Sequence, residues 1–596
     1  MMLAGARFAL FDGDAGRAVL LTGFQRSIVL AASGDPGAAF STIEAALAAG
    51  QWLAVAADYA LGASFEPAVP AVPGDRPVLR AWVFTEGRVL DAPAGAAFLA
   101  EQLAALPEYQ KVAGIAELCP AVDAARHAAQ VRQIHRWIRD GDCYQINLTF
   151  PLTFESYGHP LALYVRLRER QPVRYGGFLG GDDEAILSFS PELFFERVGD
   201  QVVTRPMKGT APRGRTPLED QANRAALLAS AKERAENIMI VDLLRNDLGR
   251  LAQPGKVTVE ALCAAEAYPT LWQMVSTVAA DLPGVGIAEL FAALFPCGSI
   301  TGAPKIRAMQ RIAELEESPR GLYTGAFGWL SPGGDCRFNV AIRTVEAGPH
   351  GQARLGVGSG IVIDSDAQRE YAECLLKASF LTAFDPGFEL VETLRLEEGR
   401  YPLLDLHLER LQASARSLGF ACALVSVSAA LSAEAAARPK ALFRVRLTLA
   451  HNGSCRVEVS ALREEPGKSW RVCLASEALP ADDYLLRHKT TARARYDRTL
   501  AGLAARPALF DAIFLNRRGE VCEGARSNVF VERDGVLLTP PLACGLLPGV
   551  MRRTLLESGR AVEQVLRRED LLQAPALYVG NALRGLLPVV LEADPG

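Results

Sequence analysis

At 596 residues the chain is too long for one hydrophobic core, so two to four domains are expected. Half of it is hydrophobic, 22% is charged and the formal net charge is -5, which favours neither nucleic acid nor a membrane as partner. Its apolar runs break well before the roughly 20 residues that span a bilayer. Arg7, Asp12 and Asp14 interrupt the segment where a secretory signal needs an apolar core, so a cytoplasmic location is expected.

Residues 1–120 alternate short apolar runs with Gly/Pro-rich breaks such as "PAVPAVPGDRP", which predicts a smaller leading region of strands and loops. "AVDAARHAAQVRQIHRWIRDGDCYQINLTF" then predicts a helix that stops at Gly141-Asp142 and runs into a strand. In "TRPMKGTAPRG", Pro206 fixes one backbone angle and Gly209 frees another, so a shaped loop with Lys208 at its tip is expected. "SAKERAENIMIVDLLRNDLGR" predicts a helix with Glu233 and Glu236 on one face, and "QREYAECLLKASF" repeats the device with Glu370, Glu373 and Lys377. Alone, each pair reads as the solvated side of an amphipathic helix. Facing one cavity, four carboxylates would suit a hard divalent cation, Mg²⁺ above all. Eleven cysteines without a CxxC pair and seven dispersed histidines leave carboxylates as the metal ligands to consider.

Between the two helices, "FPCGSITGAPKIRAMQRI" predicts a tight turn whose free N–H groups open a helix toward an anion. "FNVAIRT" places Arg343 on a strand-like segment, a fork suited to a carboxylate. "LGVGSGIVIDSD" reads as a second glycine loop, with no helix following as a dinucleotide site requires. "DPG" at 385–387 marks the best boundary. Beyond it, "FELVETLRLEEGRYPLLDLHLERLQASARSLGF" opens a new unit as strand, hairpin and helix. "LLRHKTTARARYDR" holds Lys489 among four arginines, a basic surface run on charge alone. In "EVCEGARSNVFVERDGVLLTPPLACGLLPGVMRRTLLESG", Gly549 and Val550 begin a helix that would offer N–H groups to a phosphate.

The segments "GDCYQINL", "SPELFFE", "PMKGT", "KERAENIMIVDLLRND", "GSITGAPK", "YTGAFGW", "FNVAIRT", "GSGIV" and "EYAEC" follow one another as they do in chorismate-using enzymes. Residues 123–384 therefore resemble that family: the component I proteins of anthranilate and aminodeoxychorismate synthases, and the isochorismate and salicylate synthases. The resemblance implies antiparallel sheets wrapped by helices. It implies Mg²⁺ on Glu236 and Glu373 with Glu233 and Glu370 supporting, and Glu192 as the acid that protonates the departing C4 hydroxyl of chorismate. It places the substrate's carboxylates on Thr301, Gly302, Ala303, Arg343, Gly358, Ser359 and Gly360. Two positions choose the branch. Water-adding members carry a lysine base where this chain has Gln145, and anthranilate synthases carry alanine at Lys208. In the aminodeoxychorismate branch that lysine attacks C2, and ammonia enters at C4 and releases it. Gln273 departs from the histidine of many relatives, and the chain shows no amidotransferase elbow, so ammonia is expected from a separate glutamine amidotransferase subunit or from solution.

Residues 385–596 resemble class IV, pyridoxal-phosphate enzymes, a two-subdomain α/β fold. By that resemblance Lys489 carries the cofactor, Glu523 meets its pyridine nitrogen, and Arg410 with the Gly549-Val550 turn holds its phosphate, with Asn581 nearby. The hairpin that usually precedes "FELVET" is missing, and relatives usually dimerise, implying a homodimer through this unit. These residues serve transaminases and lyases alike. Linkage to a synthase favours the lyase that converts its product to 4-aminobenzoate and pyruvate for folate synthesis, with Lys489 as both base and acid. The expected whole is a multidomain α+β and α/β enzyme, with a leading region 1–120, a chorismate domain 121–384 and a lyase domain 385–596. The rivals are an anthranilate-type synthase fused to a branched-chain or D-amino-acid transaminase, and a chain in which one unit is a docking scaffold.

Overall fold

The computed structural model describes residues 7–70, 76–181, 184–268, 271–465 and 468–592. The chain forms two compact units, Met1–Pro107 with Leu118–Phe384, and Glu108–Glu117 with Asp385–Gly596.

The leading residues do not build a core of their own. Strand Phe8–Asp12 pairs with Gly177–Gly180, and Trp52–Ala57 with Ala326–Leu330, so the leading strands join the 18-stranded sheet of the first unit. The region also contains helices, Pro36–Ala48 and Ala92–Ala104, where strands and loops were expected. Both follow Asp-Pro or Asp-Ala-Pro starts, in which the aspartate takes free N–H groups: Asp35 accepts from Gly37 N at 2.9 Å and Asp91 from Ala94 N at 2.9 Å. Alanine-rich sequence gave these helices little polar contrast for a period to show.

Seven elements position the first site. Strand β1 (Gln145–Tyr157) pairs along its length with β4 (Gln352–Ile361), setting Thr149 opposite Gly358 and Asn147 opposite Gly360. The "GVGSG" segment is thus strand, not loop. Its glycines leave room for neighbours, since a Cβ at 356 would lie 2.0 Å from the Tyr323 ring and one at 360 would lie 2.2 Å from Gln145 Nε2. Strand β2 (Met207–Pro212) pairs with β3 (Leu271–Asp281), but the register slips between Met207↔Val275 and Thr210↔Gln273. Lys208 and Gly209 therefore form a bulge within a strand rather than the tip of a loop, and Gly209 takes φ 85° to make it. Helix α1 (Ala231–Gly249) starts at Ser230, whose hydroxyl accepts from Glu233 N at 3.3 Å. Helix α2 (Lys305–Leu315) follows the 297–304 turn and packs Ala308 and Ile312 on Ile146, Leu148 and Ile361. Helix α3 (Ala367–Lys377) is capped by Asp366.

The second unit has two sheets. A three-stranded antiparallel sheet joins β5 (Leu390–Glu397), β6 (Leu442–Leu449) and β7 (Cys455–Ala461), with helix α4 (Leu404–Leu418) between the first two in sequence. An eight-stranded mixed sheet contains β8 (Leu509–Leu515), β9 (Val521–Gly524), β10 (Asn528–Arg533), β11 (Ala576–Asn581) and β12 (Gly585–Leu591). Helix α5 (Val550–Glu557) begins directly after Gly549.

Candidate active sites

In the first unit, Phe194 and Phe195 are anchored in an aromatic core with Phe291 and Phe338, which fixes the chain just before them. That chain carries Glu192, 5% exposed, whose Oε1 accepts from Ser299 Oγ at 2.6 Å. Burial raises the Glu192 carboxyl above the usual range, although Ser299, the Lys208 charge and the Met207 N–H all oppose it. Lys208 is half-buried and makes no hydrogen bond or ion pair with another described residue. Its bulge is held from two sides. Gln273 Nε2 donates to Gly209 O at 2.9 Å, and Glu233 packs so closely that a Cβ at 209 would meet Glu233 Oε2 at 2.7 Å.

The expected carboxylate contacts gather around β1. Gly302 and Ala303 pair with Ile146 and Gln145 on one side, while Gly358, Ser359 and Gly360 pair with Thr149, Leu148 and Asn147 on the other. Thr301 is fully buried, and its carbonyl accepts from Asn147 N at 2.8 Å. The Gln145 side chain is buried, with an oxygen that lacks a hydrogen-bond partner among the described residues. Arg343 occupies the kink between two strands at φ 48°. Its guanidinium makes no hydrogen bond or ion pair with another described residue, and burial lowers its proton affinity against the pull of Tyr268. A half-buried guanidinium without a carboxylate is chemically suited to an anion.

Two supports of this strip escaped sequence reasoning. Arg320 donates to Asn147 O at 2.6 Å, to Ile300 O at 3.2 Å and to Glu316 at 2.8 Å, and Glu316 Oε1 accepts from Thr149 N at 2.9 Å. Lys305 Nζ donates to Asp247 Oδ2 at 2.8 Å, tying α2 to α1. Only the i, i+4 spacing of Glu316 and Arg320 hinted at the first pair.

The four glutamates come together only in part. Burial and the charges of Glu236 and Glu373 raise the Glu233 carboxyl, with Lys232 and Lys208 opposing, so α1 and α3 do bring acids toward one another. Glu373 is 2.9 Å from Lys377 Nζ, which also donates to Gly358 O at 2.9 Å, and Glu370 accepts from Ser365 Oγ at 2.7 Å. Among the described residues no three Asp, Glu, His or Cys side chains lie close enough to bind a metal ion. The donor chemistry fits a hard cation, and mutual repulsion at Glu233 is what such a cation relieves.

In the second unit, Lys489 makes no side-chain hydrogen bond with another described residue. Burial and the charges of Arg410 and Arg493 pull its amine down to about 8, against Glu392 and Glu523. Glu523, at the end of β9, accepts from Tyr496 OH at 2.6 Å and Leu547 N at 3.1 Å. Burial lifts it to about 7. Glu392 on β5 receives Arg410 Nε at 2.9 Å and Nη2 at 2.6 Å, together with His407 Nδ1 at 2.6 Å. Although burial alone would raise it, Arg410 and His407 hold Glu392 down at about 2. Arg410 also donates to Pro548 O at 3.3 Å, beside Gly549 and buried Val550 at the start of α5. Asn581 closes β11. Its amide donates to Arg526 O at 3.2 Å and its oxygen accepts from Arg584 N at 3.0 Å, so it shapes the turn between β11 and β12. Glu392, His407 and Tyr496 were not singled out from the sequence, although His407 and Arg410 share a helix face at i, i+3. An unpaired buried amine, a buried carboxyl and an arginine at a helix start fit pyridoxal phosphate.

Comparison with known proteins follows the same division. Residues 79–383 match the family model of chorismate binding enzymes, and residues 389–591 match amino-transferase class IV. Aminodeoxychorismate synthase component 1 of Bacillus subtilis is 43% identical over 249 residues, 42% of this chain and 53% of that protein. Anthranilate synthase component 1 3 of Haloarcula marismortui is 41% identical over 281 residues, 47% of this chain and 56% of that protein. The chain thus spans about half the length of the curated relatives it matches. The crystal structure of anthranilate synthase component I from Streptococcus pneumoniae superposes with a TM-score of 0.54 at 26% identity, covering 61% of this chain and 92% of that one. With more than half of its residues inside the first match, the chain belongs to the chorismate binding enzymes.

Proposed function

We propose that the chain converts chorismate and ammonia to 4-aminobenzoate, pyruvate and water in two steps. The observation that carries the first step is the pairing of Lys208, an amine without a carboxylate partner on a fixed bulge, with Glu192, a buried carboxyl on which the Lys208 charge acts. Arg343, Thr301 to Ala303 and Gly358 to Gly360 hold the substrate's carboxylates. The Lys208 amine adds at C2 while Glu192 gives its proton to the C4 hydroxyl, which leaves as water. Ammonia then adds at C4 and gives up a proton that restores Glu192, the C2–N bond breaks, and 4-amino-4-deoxychorismate leaves with Lys208 regenerated. Gln145 is neutral and provides no base to activate water in competition. Glu236 and Glu373, supported by Glu233 and Glu370, would hold Mg²⁺, which supplies positive charge for a substrate carboxylate.

In the second unit Lys489, Glu523, Arg410 and the N-terminus of α5 would hold pyridoxal phosphate, which supplies an electron sink for carbanion chemistry. Lys489, with an amine near 8, takes the C4 proton. The ether bond to the enolpyruvyl group then breaks, that group departs as pyruvate, and the ring becomes aromatic. Ammonia comes from a separate glutamine amidotransferase subunit, the chain works in the cytoplasm, and it dimerises through the second unit. Because the Haloarcula relative is an anthranilate synthase, the discriminating experiment omits the cofactor. Full-length protein freed of pyridoxal phosphate, given chorismate, Mg²⁺ and an ammonium salt, is expected to accumulate 4-amino-4-deoxychorismate. Anthranilate in its place would overturn the first assignment.

A further inference from the structure

The loop after Glu523 leads to a group of arginines that the reading above leaves without a task. Gly524 N donates to Ser527 O at 2.7 Å, closing a turn that contains Ala525 and Arg526. Arg493, whose charge Lys489 feels, donates from Nη2 to Ala525 O at 2.7 Å, so the turn is fastened beside the cofactor lysine. On its other side Asn581 binds Arg526 O and the N–H of Arg584, drawing the 581–584 turn against it. Leu583 O in that turn accepts from Arg395 Nη1 at 3.4 Å. Arg395 stands directly opposite Arg444 across β5 and β6, so the two side chains leave the same face of the sheet. Hydrogen bonds and strand register thus gather four arginines.

One of the four is neutralised: Arg395 lies 3.0 Å from Glu397 and 2.8 Å from Glu464. Arg444, Arg526 and Arg584 form no ion pair among the described residues. Asp511, which contacts the loop, is fully buried and takes Ser527 Oγ at 2.5 Å and Arg526 N at 3.2 Å, and it forms no ion pair with the Arg526 guanidinium. The Arg526 guanidinium is held over the Phe510 ring at 4.4 Å and donates to Phe510 O, while Arg584 Nη1 donates to Arg463 O at 3.2 Å. Burial and the charges of Arg584 and Arg444 lower the proton affinity of Arg526, with Asp511 opposing. Arg526 and Arg584 are held by these contacts, Arg444 leaves the neighbouring sheet face, and cations gathered in this way are stabilised by an anion bearing more than a single charge.

We propose that Arg444, Arg526 and Arg584 form the substrate anion site of the second unit, shaped for an amine carrying two carboxylates rather than for an ordinary aliphatic amino acid. This rests on the reading of that unit as a pyridoxal-phosphate enzyme and assigns the residues that would hold the two carboxylates of its substrate. Arginine forks bind carboxylates bidentately, and a second carboxylate gives the further guanidiniums a partner that a simple amino acid lacks.

The test uses the full chain loaded with pyridoxal phosphate and titrated calorimetrically with isophthalate, benzoate or inorganic phosphate. Isophthalate is expected to bind at least about tenfold tighter than benzoate or phosphate. Arg444→Ala and Arg584→Ala should each weaken isophthalate about tenfold. Arg444→Lys should recover part of the loss, and cofactor absorbance should stay unchanged in all three. Equal binding of benzoate, dominance by phosphate, or indifference to the arginine variants would overturn the proposal. Product analysis separates it from the broader reading. If no 4-aminobenzoate forms but isophthalate still depends on the arginines, the lyase assignment falls and the anion site stands. If 4-aminobenzoate forms while the arginine variants bind isophthalate normally, the lyase stands and the anion site falls.

Discussion

Burial acts on Glu192 and Glu523 in one direction and is outweighed at Glu392, and these three carboxyls give the chain its expected pH behaviour. In the proposed first step Glu192 gives a proton to the C4 hydroxyl, and burial holds its carboxyl above the usual 4.5, so the protonated form persists to higher pH. Glu192→Gln is expected to lower the first-step rate by about a hundredfold or more, and to remove the limb on which activity falls as pH rises. A pH–rate profile of both proteins checks this. Glu523 rises from 4.5 to about 7 on folding, so its contribution to stability is full below 4.5 and is lost as pH rises through 7. The shift corresponds to roughly 3 kcal/mol. Glu392 falls from 4.5 to about 2, so its contribution is present above 4.5 and is lost as pH falls toward 2. Urea titrations of the cofactor-free protein should show Glu523→Gln abolishing a decline between pH 5 and 7. An unchanged slope in that variant would assign the decline to other groups.

The strand bulge at Lys208 shows how an element sets the chemistry of a residue. One extra residue on β2 relative to β3 turns the lysine out of the regular ladder, and Gln273 holds the displaced carbonyl of Gly209. Gln273→Ala is expected to lower kcat of the first step about tenfold with KM for chorismate little changed, since on the proposed mechanism the bond positions the nucleophile rather than the substrate. A rise in KM alone would instead place Gln273 in substrate binding. The bulge was not legible in "PMKGT" because its partner residues lie some sixty positions away, and a register slip is a property of the pair. The "GVGSG" segment failed for a related reason: its glycines answer to Tyr323 and Gln145 packing from outside, not to a turn. Helices α1 and α3 were legible because their caps and carboxylate spacing are local.

At the scale of the molecule, the order of short motifs disclosed both halves of the chain, while composition and periodicity alone would have stopped at an ordinary globular enzyme. The two families were readable because each site is assembled from segments whose identity is fixed by chemistry: a lysine, a paired acid, an arginine, a glycine-lined turn. What the sequence hid were the residues that hold those groups, Arg320 with Asn147, Tyr496 with Glu523, and Glu392 with Arg410, because each bond joins elements or turns that only the fold brings together. It also hid that the leading strands share one sheet with β1 to β4, which carry the candidate residues. The account depends most on Lys208 and Lys489 acting in succession on one carbon skeleton. Full-length protein with chorismate, Mg²⁺, pyridoxal phosphate and an ammonium salt should therefore be analysed by chromatography and mass, beside Lys208→Ala. The account predicts 4-aminobenzoate and pyruvate in equal amounts from the parent and neither from the variant, with the variant still converting supplied 4-amino-4-deoxychorismate. Anthranilate from either protein, or 4-aminobenzoate from chorismate in the variant, would contradict it.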